Sequence, residues 1–464
     1  MELRIDRQAL VPVVQQIVDA LMGWIRLSRV APGTRLPTIR QLARDNLLSQ
    51  SSVVEAYGRM VAQGVLASRQ GSAFFVAAPR PASHGCAAEL ALAGGGAASE
   101  GPLDRLPLGR GGMPESWRES DDLRYAIRQV AGTDMAGLFN YSTSHGLPAL
   151  RQQIVKRLKQ QAIAVEEQQV LTTAGATQGL DLIIRVLLKP GDCVVVESPG
   201  YSNLFEQLRL WGVRLLEVPR TPCGPDTEAL ERLLEGHAPR ALFINSQFHN
   251  PTGSCLTRNV AQRVLELAER HGLIIVEDDV YADFQERTGS RLAALDTGGR
   301  VVYVGSFSKT LSSSLRVGYV VASAERIASL ARVKMISSLG ASRFCESVLT
   351  CLLANGAYRK LVQRQRQRLK RDMSTALQAL EEVEWEVFGK PAGGLYLWAR
   401  PKACDPARVR TLAERLGVSL SSATAFSPGG RASDWLRINV AYAGDSRALA
   451  FFRACALPDR PQAF

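Results

Sequence analysis

The chain has 464 residues, of which 46% are hydrophobic and 22% are charged, and it carries a formal net charge of +12. No apolar run is long enough to span a bilayer, and the first residues, MELRIDRQALVP, lack the apolar block of a signal peptide. The length exceeds one ordinary core, so we expect a cytoplasmic, globular protein of two or three units.

Cysteine usage and charge distribution add two expectations. The eight cysteines show neither CxxC pairs nor metal-like Cys and His spacing, so we expect reduced thiols and no metal site. The positive net charge indicates a polyanionic partner. Residues 1–80 contain ten Lys and Arg against five Asp and Glu, which places a surplus of five positive charges in the first sixth of the chain.

The first eighty residues show three helical patterns followed by a strand pair. Apolar positions at helical spacing predict a first helix between Pro12 and Val30. Thr38 can cap a second helix, TIRQLARDN, and Ser49 can cap a third, QSSVVEAYGRMVAQ. The segment VLASRQGSAFFVA predicts two strands joined by a turn at residues 70–72. Three short helices and a hairpin form a winged helix-turn-helix.

The start of the third helix carries short polar side chains. Such side chains suit the major groove of DNA, where they and the backbone amides reach phosphates and base edges. Two arginines would flank the phosphate backbone, and a third lies at the wing; a small helical protein-binding module is the alternative. The predicted DNA contacts are Arg35, Thr38, Arg40, Ser49, Gln50, Ser51, Ser52 and Arg69.

The stretch PGTRLPTIRQLARDNLLSQSSVVEAYGRMVAQGVLASRQGSAFFV resembles the DNA-binding domain of the GntR family over nearly its whole length. Gln50 stands where the family usually has arginine, Gly58 interrupts the recognition helix, and Ala73 replaces a usual wing glycine. Arginine reads guanine and glutamine prefers adenine, so we expect an operator that differs from familiar family sites. Gly58 costs the helix about 1 kcal/mol relative to alanine.

A segment rich in Ala, Gly, Ser and Pro covers residues 80–105, RPASHGCAAELALAGGGAASEGPLDR. It lacks sustained apolar periodicity, and its composition predicts a flexible tether with a reach of roughly 25–30 Å. The predicted organisation is therefore a DNA-binding domain at residues 1–79, a linker at residues 80–105 and a large unit at residues 106–464.

Beyond the linker, apolar strand patterns alternate with helical patterns, which predicts an α/β domain with a mainly parallel sheet. In such sheets, ligands bind outside the carboxyl ends of the strands. The basic stretch from Arg359 to Arg371 predicts a solvated helix of a smaller carboxy-terminal subdomain, with a second DNA contact as the alternative. The candidate strands span residues 170–175, 193–199, 213–219, 241–247, 273–279, 301–306 and 317–323.

The stretch VVYVGSFSKTLSSSLRVGY, residues 301–319, places Lys309 just after a buried strand. Desolvation lowers the pKa of a lysine amine, and a neutral amine can condense with an aldehyde. Ser306, Ser308 and Arg316 suit a dianionic phosphate. A lysine beside a phosphate site indicates pyridoxal 5′-phosphate (PLP). The alternative is a snorkelling surface lysine beside a serine-rich loop.

Polar residues also follow the other predicted strands. A carboxylate such as Asp278 can keep the PLP ring nitrogen protonated, and its neighbour Asp279 can instead cap the next helix, so one of the two acids is expected to be structural. Tyr281 and Asn250 are placed to bond the phenolic oxygen of PLP. The turn HNPTG around Asn250 is, however, good turn chemistry by itself.

Three further features fit the same site. The run Gly175-Ala176-Thr177-Gln178 follows a strand and opens a helix, so its backbone amides can hold phosphate. Tyr201 is placed to stack on the ring, although a lone tyrosine is more often part of a core. Arg437, inside the strand-like run WLRINVAY, indicates either a carboxylate clamp or a paired structural arginine.

Together these features resemble fold-type I PLP enzymes of the aspartate aminotransferase kind over about residues 115–455. The resemblance makes Lys309 the Schiff-base lysine, Asp278 the partner of the ring nitrogen and Arg437 the grip on a substrate carboxylate. It implies that Tyr141 reaches the phosphate in a partner subunit, and hence a homodimer. The other implied cofactor contacts are Tyr281, Asn250, Tyr201, Ala176, Thr177, Ser306 and Arg316. The lead into the domain, LPLGRGGMPESW, departs from the family pattern.

A GntR-like winged helix joined to an aminotransferase-like domain is similar to the MocR class of bacterial transcription regulators. In that class the PLP domain acts chiefly as a sensor of PLP, an amine or an amino acid, and many members form head-to-tail dimers. The resemblance therefore implies a PLP-dependent regulator that binds a double-stranded DNA operator. One alternative is a working aminotransferase with a DNA-binding appendage, and another is a repressor whose PLP fold only dimerises.

Overall fold

The computed structural model describes residues 3, 5, 13–27, 30–62, 65–69, 73–77, 105–114, 117, 120–133, 137, 139–285, 289–391, 393–402 and 404–456. These residues form two units, one before Ala93 and one after Gly94. The linker predicted at residues 80–105 lies outside the described residues, apart from Arg105, and the predicted domain boundaries therefore stay a prediction.

The described residues of the amino-terminal unit form three helices and an antiparallel strand pair, as the sequence predicts. The Thr38 hydroxyl caps the second helix by accepting the Gln41 N–H at 3.2 Å, and the Ser49 hydroxyl caps the third by accepting the Ser52 N–H at 3.1 Å. The turn predicted at residues 70–72 lies outside the described residues. The elements are α1 (Val13–Leu27), α2 (Ile39–Asp45), α3 (Gln50–Ala62), β1 (Leu66–Arg69) and β2 (Ala73–Val76).

A small apolar core joins these elements. Leu21 of α1, Leu42 of α2 and Tyr57 of α3 are fully buried within one cluster. The Tyr57 hydroxyl donates to the Pro37 carbonyl at 2.8 Å, and burial raises the pKa of Tyr57 to about 12. Helix α3 continues through Gly58, so the glycine that the sequence marks as an interruption does not end the helix.

An eight-stranded sheet forms the centre of the carboxy-terminal unit. Its strands are β3 (Val170–Thr173), β4 (Cys193–Ser198), β5 (Arg214–Thr221), β6 (Gly224–Pro225), β7 (Ala241–Asn245), β8 (Ile274–Asp278), β9 (Val301–Ser306) and β10 (Gly318–Val321). They lie in the order β3-β10-β9-β8-β7-β4-β5-β6. The five neighbouring strands β9, β8, β7, β4 and β5 run parallel to one another, whereas β10 and β6 run antiparallel to their neighbours. The predicted mainly parallel sheet is confirmed.

Helices cover both faces of this sheet. Val194 and Val196 pack on one face with the helices Ala176–Leu187, Ser202–Leu210 and Ala324–Ser338. Val195 points to the other face and packs with the helices Thr227–Gly236 and Arg258–Arg270. Both faces are therefore dry, which explains why the strands are continuous apolar runs. The helices are α4 (Ser120–Thr133), α5 (Pro148–Gln160), α6 (Ala176–Leu187), α7 (Ser202–Leu210), α8 (Thr227–Gly236), α9 (Arg258–Arg270), α10 (Leu292–Leu295), α11 (Ala324–Ser338) and α12 (Arg343–Ala354).

A smaller subdomain follows, with an antiparallel three-stranded sheet in the order β11-β12-β13. The basic stretch 359–371 lies in its long first helix, which buries Leu361 and Leu369 and exposes Arg359, Lys360 and Lys370. The elements are α13 (Ala357–Glu381), β11 (Glu386–Val387), β12 (Tyr396–Arg400), α14 (Pro406–Arg415), β13 (Leu436–Asn439), α15 (Val440–Ala443) and α16 (Ser446–Ala456).

Three further observations concern the described part of the chain. None of its helices has the length and apolar character needed to cross a bilayer. Seven of the eight cysteines fall within it, and these seven are free thiols. No group of three or more His, Cys, Asp or Glu side chains in it is arranged to hold a metal ion.

Candidate functional site

A cavity of about 310 Å³ opens at the carboxyl ends of β7, β8 and β9. The position is the one expected for a ligand site in a parallel α/β sheet. Nine of the ten residues predicted to contact the cofactor line it, namely Ala176, Thr177, Tyr201, Asn250, Asp278, Tyr281, Ser306, Lys309 and Arg316. The tenth, Tyr141, does not line this cavity.

Lys309 lies in the turn that follows β9, with its side chain half-buried. Its Nζ donates a hydrogen bond to the Gly111 carbonyl at 2.9 Å and lies 5.9 Å from the centre of the Tyr281 ring. The amine therefore points into the cavity and is not a snorkelling surface group.

The two neighbouring acids at the end of β8 face different surroundings. Asp278 lines the cavity, and burial raises the pKa of its carboxyl to about 7, although the Val280 N–H and the charge of Lys309 act in the opposite direction. Asp279 instead accepts hydrogen bonds from Arg291 at 2.5 Å and from the Tyr303 hydroxyl at 2.9 Å. Of the two acids, Asp279 is thus the structural one, and it forms an ion pair with Arg291 rather than a helix cap.

The end of the cavity below α6 is rich in donors. Gly175 precedes α6 with a φ of +81°, and a Cβ at this position would lie 2.5 Å from Nη2 of Arg316, so only glycine permits this close approach. Ser306 accepts the Ser308 N–H at 3.1 Å. The Ser308 hydroxyl is buried and has no hydrogen-bond partner. With the free amides at the start of α6, these groups suit a phosphate.

Hydroxyl and amide groups gather beside Lys309. Tyr281 is buried, and its hydroxyl donates to that of Tyr396 at 3.2 Å. Burial raises the pKa of Tyr281 well above its ordinary value, so its phenol stays protonated. Asn250 is also buried, and its side-chain oxygen accepts a hydrogen bond from Arg437 at 2.8 Å.

Arg437 lies on β13 and does not line this cavity, but it donates a hydrogen bond to Asn250, which does. Its guanidinium donates to the Gly109 carbonyl at 2.7 Å and to the Ser421 hydroxyl at 3.1 Å, and it stacks 4.8 Å from the centres of the Tyr396 and Phe426 rings. The oxygen atoms that accept its hydrogen bonds are neutral, and because its charge is not paired with a carboxylate of this chain among these partners, the guanidinium can still bind the carboxylate of a ligand.

Tyr141 is 78% exposed on a segment that is firmly held. The adjacent Ser142 hydroxyl donates to the fully buried carboxylate of Glu346. Lys334 is also fully buried, and it donates to the Ser144 carbonyl at 3.1 Å. Burial lowers the pKa of Lys334 to about 8. The segment therefore presents the tyrosine ring at the surface of this chain.

Sequence reasoning missed several cavity residues. Asn245 ends β7 and lines the cavity, and the rule that polar residues at strand ends form the site could have found it. Gly111 and Met113 also line it, from the lead that departs from the family pattern. Tyr396 has no local signal, because it lies in the subdomain sheet and meets Tyr281 only through the fold.

In the amino-terminal unit, six of the residues predicted to contact DNA are exposed, namely Arg35, Thr38, Arg40, Ser49, Gln50 and Ser51, and Ser52 is half-buried. Arg69 ends β1. At the start of α3, the Ser49 hydroxyl is within hydrogen-bond distance of the Ser51 hydroxyl at 2.9 Å and of the Ser52 hydroxyl at 2.7 Å. These three hydroxyls form one cluster, and Ser49 in addition serves as the helix cap.

The groups that line the cavity match the chemical groups of PLP. The lining includes the Lys309 amine, the Asp278 carboxyl group, the buried Ser308 hydroxyl that has no hydrogen-bond partner, and Arg316. An aldehyde, a basic ring nitrogen and a phosphate are the groups that such a set would bind. The residues therefore fit this cofactor.

Comparisons with known proteins agree with both units. The family described as aminotransferase class I and II matches residues 105–450, and the family described as bacterial regulatory proteins, gntR family, matches residues 13–76. The chain is 27% identical over 435 residues to the probable rhizopine catabolism regulatory protein MocR of Rhizobium meliloti, covering 90% of this chain and 87% of that protein.

The chain is also similar to enzymes. The chain is 34% identical over 298 residues to 2-aminoadipate transaminase of Thermus thermophilus, covering 62% of this chain and 72% of that protein. The crystal structure of LysN, α-aminoadipate aminotransferase from the same organism in complex with N-(5′-phosphopyridoxyl)-L-leucine, matches with a TM-score of 0.70 and 28% identity. That match covers 76% of this chain and 93% of the other.

Proposed function

The chain belongs to the aminotransferase class I and II family and carries a GntR-family domain ahead of it, and on this premise we propose that it is a PLP-dependent transcription regulator. Its aminotransferase-like domain would sense PLP itself, or an amine or amino acid that reacts there. The observation that carries this proposal is the presence, in one chain, of a winged helix and a cavity with the PLP-binding set around Lys309.

When bound, PLP supplies an aldehyde that condenses with amines and a ring that withdraws electrons. Lys309 would hold it covalently, Asp278 would keep a proton on the ring nitrogen, and Tyr281 and Asn250 would bond the phenolic oxygen. Tyr201 would contact the ring. The phosphate would be held by Ala176, Thr177, Ser306, Ser308 and Arg316, together with the partner's copy of the tyrosine at position 141.

A segment of backbone connects this cavity to the chain that leads to the DNA-binding unit. We call residues Leu108–Gly112 the carbonyl segment, because its five successive carbonyl oxygens all accept hydrogen bonds from residues around the cavity. Asn439 makes three of these bonds: its backbone N–H donates to the Leu108 carbonyl at 2.8 Å, and its side-chain amide donates to the carbonyls of Arg110 at 2.9 Å and Gly112 at 2.7 Å. The Arg437 guanidinium donates to the Gly109 carbonyl at 2.7 Å, and the Lys309 amine donates to the Gly111 carbonyl at 2.9 Å.

Two of these donors are the side chains proposed to hold ligands. Lys309 would be engaged by the cofactor and Arg437 by an effector carboxylate, so occupancy of the cavity competes with the bonds that fix the carbonyl segment. The segment begins three residues after Arg105, which is the last residue of the predicted linker. Competition for these donors is therefore a direct way to pass a binding event towards the DNA-binding domain.

The exposed position of Tyr141 supports a homodimer in which each copy completes the phosphate site of the other. A dimer would also carry two winged helices and would bind a repeated DNA site. Head-to-tail pairing is the arrangement that we expect, because the resemblance to the MocR class implies it.

The proposal is tested by following the visible absorbance and DNA binding of the full chain together. The DNA probe is a duplex selected by the wild-type protein from a randomised library. We expect a PLP band that is absent in Lys309→Ala, and a change in DNA affinity on addition of PLP or of one member of an amine panel. DNA binding that is indifferent to PLP and to every amine would contradict the sensor role.

The variant Asn439→Asp tests the carbonyl segment. It keeps the side-chain oxygen that accepts the Ala441 N–H at 3.1 Å but loses the amide donors to Arg110 and Gly112. We expect PLP binding to persist while the DNA response to ligand falls towards zero. Asn355→Asp is the matched control, because Asn355 likewise accepts a backbone N–H, that of Ala357, at 2.9 Å.

A working aminotransferase is the second candidate. Arg437 favours it, because a cation that binds a carboxylate beside Asn250 would serve catalysis as well as sensing. Sustained turnover of an amino donor with a 2-oxo acid would support this candidate, whereas a single half-reaction without turnover would favour the regulator.

A further inference from the structure

A row of buried polar side chains crosses the carboxyl edge of the sheet beside the PLP cavity. Arg220 of β5 donates to the carboxylate of Glu197 on β4 at 2.6 Å. The same carboxylate accepts the N–H of Asn245 on β7 at 2.8 Å. The side-chain amide of Asn245 then donates to the backbone carbonyl of Asp278 on β8 at 2.8 Å. Because these four strands are neighbours, the row is continuous from β5 to β8.

Asn245 uses all of its polar groups in this row. Its N–H goes to Glu197, and its carbonyl accepts from Arg220 at 3.0 Å. Its side-chain oxygen accepts the Asn250 N–H at 2.8 Å, while its side-chain nitrogen holds Asp278. One side chain thus links the two cavity residues that are proposed to face the phenolic oxygen and the ring nitrogen of PLP.

Stability alone gives no sufficient reason for the ion pair in this row. The side chains of Glu197 and Arg220 are 4% and 0% exposed, and the desolvation of such a pair largely offsets its attraction. The pairing of β4 with β7 ends at Val196 and Phe243, so on the β4 side the backbone of Asn245 lies beyond the ladder, whereas on the other side it pairs with Asp278 of β8. Glu197 and Arg220 replace the missing ladder bonds and fix that backbone.

We infer that Asn245 is a positioning residue for the cofactor site: it sets the placement of Asn250 relative to Asp278, and Glu197 and Arg220 hold it in place. The inference rests on the proposed function, because the placement matters only for a PLP ring in the cavity. Asn245 acts through its two neighbours and takes no part in proton transfer.

The test compares Asn245→Leu and Asn245→Asp in the full chain, with PLP as the titrant. Leucine has a similar shape and removes both side-chain bonds, whereas aspartate keeps the acceptor for Asn250 and loses the donor to Asp278. We expect the PLP dissociation constant to rise about tenfold in Asn245→Leu, the effect of one or two lost hydrogen bonds, and less in Asn245→Asp. The pH midpoint of the PLP absorbance should shift in both variants.

A double variant, Glu197→Leu with Arg220→Met, removes the clamp without leaving a lone buried charge. We expect it to raise the PLP dissociation constant in the same direction. Asn355→Ala is the control, since it removes a surface cap and should lower thermal stability without moving either PLP readout.

The outcomes separate the inference from the function on which it rests. Unchanged PLP affinity and pH midpoint in Asn245→Leu and in the double variant would overturn the inference, as would equal shifts in Asn355→Ala. A wild-type chain that takes up no PLP at Lys309 would overturn the proposed function and the inference together.

Discussion

The two units of this chain place their functional groups in opposite ways. In the amino-terminal unit, Arg35, Arg40 and Gln50 are exposed on the surface of a small core, and the start of the recognition helix spans four successive residues, 49–52. In the carboxy-terminal unit, the cavity is lined by residues from Gly111 to Arg316. The predicted DNA contacts lie within one short stretch of the chain, residues 35–69, whereas the cavity exists only after the sheet has formed.

This difference also changes the chemistry of the groups. Burial raises the pKa of Asp278 to about 7 and that of Tyr281 well above its ordinary value. Electrostatic effects are stronger where water is excluded. We therefore expect substitutions in the cavity to abolish or redirect a reaction, and substitutions in the winged helix to adjust affinity and base preference.

The largest effect is expected for Lys309→Ala, which should remove covalent PLP completely. Borohydride reduction of the PLP-saturated chain, followed by peptide mass spectrometry, should place the pyridoxyl label on Lys309. Lys334 is a demanding control, because it is a second buried amine, with its pKa lowered to about 8. A label on Lys334 in the wild-type chain would contradict the assignment of the cavity.

Asp278→Asn should change how the stability of the PLP-free chain depends on pH. The unfolded carboxyl ionises near pH ~4 and the folded one near pH 7, so Asp278 lowers the free energy of unfolding as pH rises through this window. At about 1.4 kcal/mol per pKa unit, the loss amounts to a few kcal/mol. The free energy of unfolding, measured with denaturant between pH 4 and pH 7, should fall less steeply with pH in the variant than in the wild-type chain. An equal fall in the two proteins would contradict the effect of burial on the pKa of Asp278.

Gln50→Arg should move the base preference of the winged helix from adenine towards guanine, an effect of about 1–3 kcal/mol at one position. Selection from a randomised duplex library measures the change, and the PLP absorbance of the variant should stay the same. Gln41→Arg is the matched control, because it adds the same charge on the exposed side of α2. If Gln41→Arg also preferred guanine, the change in base preference would come from the added charge and not from residue 50.

The smallest effect is expected for Thr38→Ala, which removes the cap of α2 and should cost the amino-terminal unit about 1 kcal/mol. Ser323→Ala provides the counterpart in the other unit, where the Ser323 hydroxyl accepts the Arg326 N–H at 3.4 Å at the start of α11. Hydrogen exchange should show each loss of protection only within its own unit. A loss that spread to both units would show that they unfold together.

Local patterns explain which parts of the structure the sequence could predict. The caps at Thr38 and Ser49 and the buried strand before Lys309 depend on neighbouring residues, and the structure has each of them. Strand order, the reversed direction of β10 and the subdomain sheet depend on distant pairings. Tyr396 acquires its contact with Tyr281 from those pairings, so no local pattern marks it. Asn245 is marked by its place at a strand end, but its bonds to Glu197 and Asp278 follow from the strand order alone.

The carbonyl segment has a mechanical consequence. Its hydrogen bonds run along the backbone just beyond Arg105, and the bond from the Leu106 N–H to the Gly417 carbonyl at 2.8 Å precedes them. Tension applied to the chain on the amino-terminal side of Arg105 would therefore load these bonds before it reached the sheet. Tension that reaches Arg105 from bound DNA would load the Leu106–Gly417 bond first and the bonds donated by Arg437 and Lys309 after it. A chain with an occupied cavity should therefore yield at a different force from one with an empty cavity.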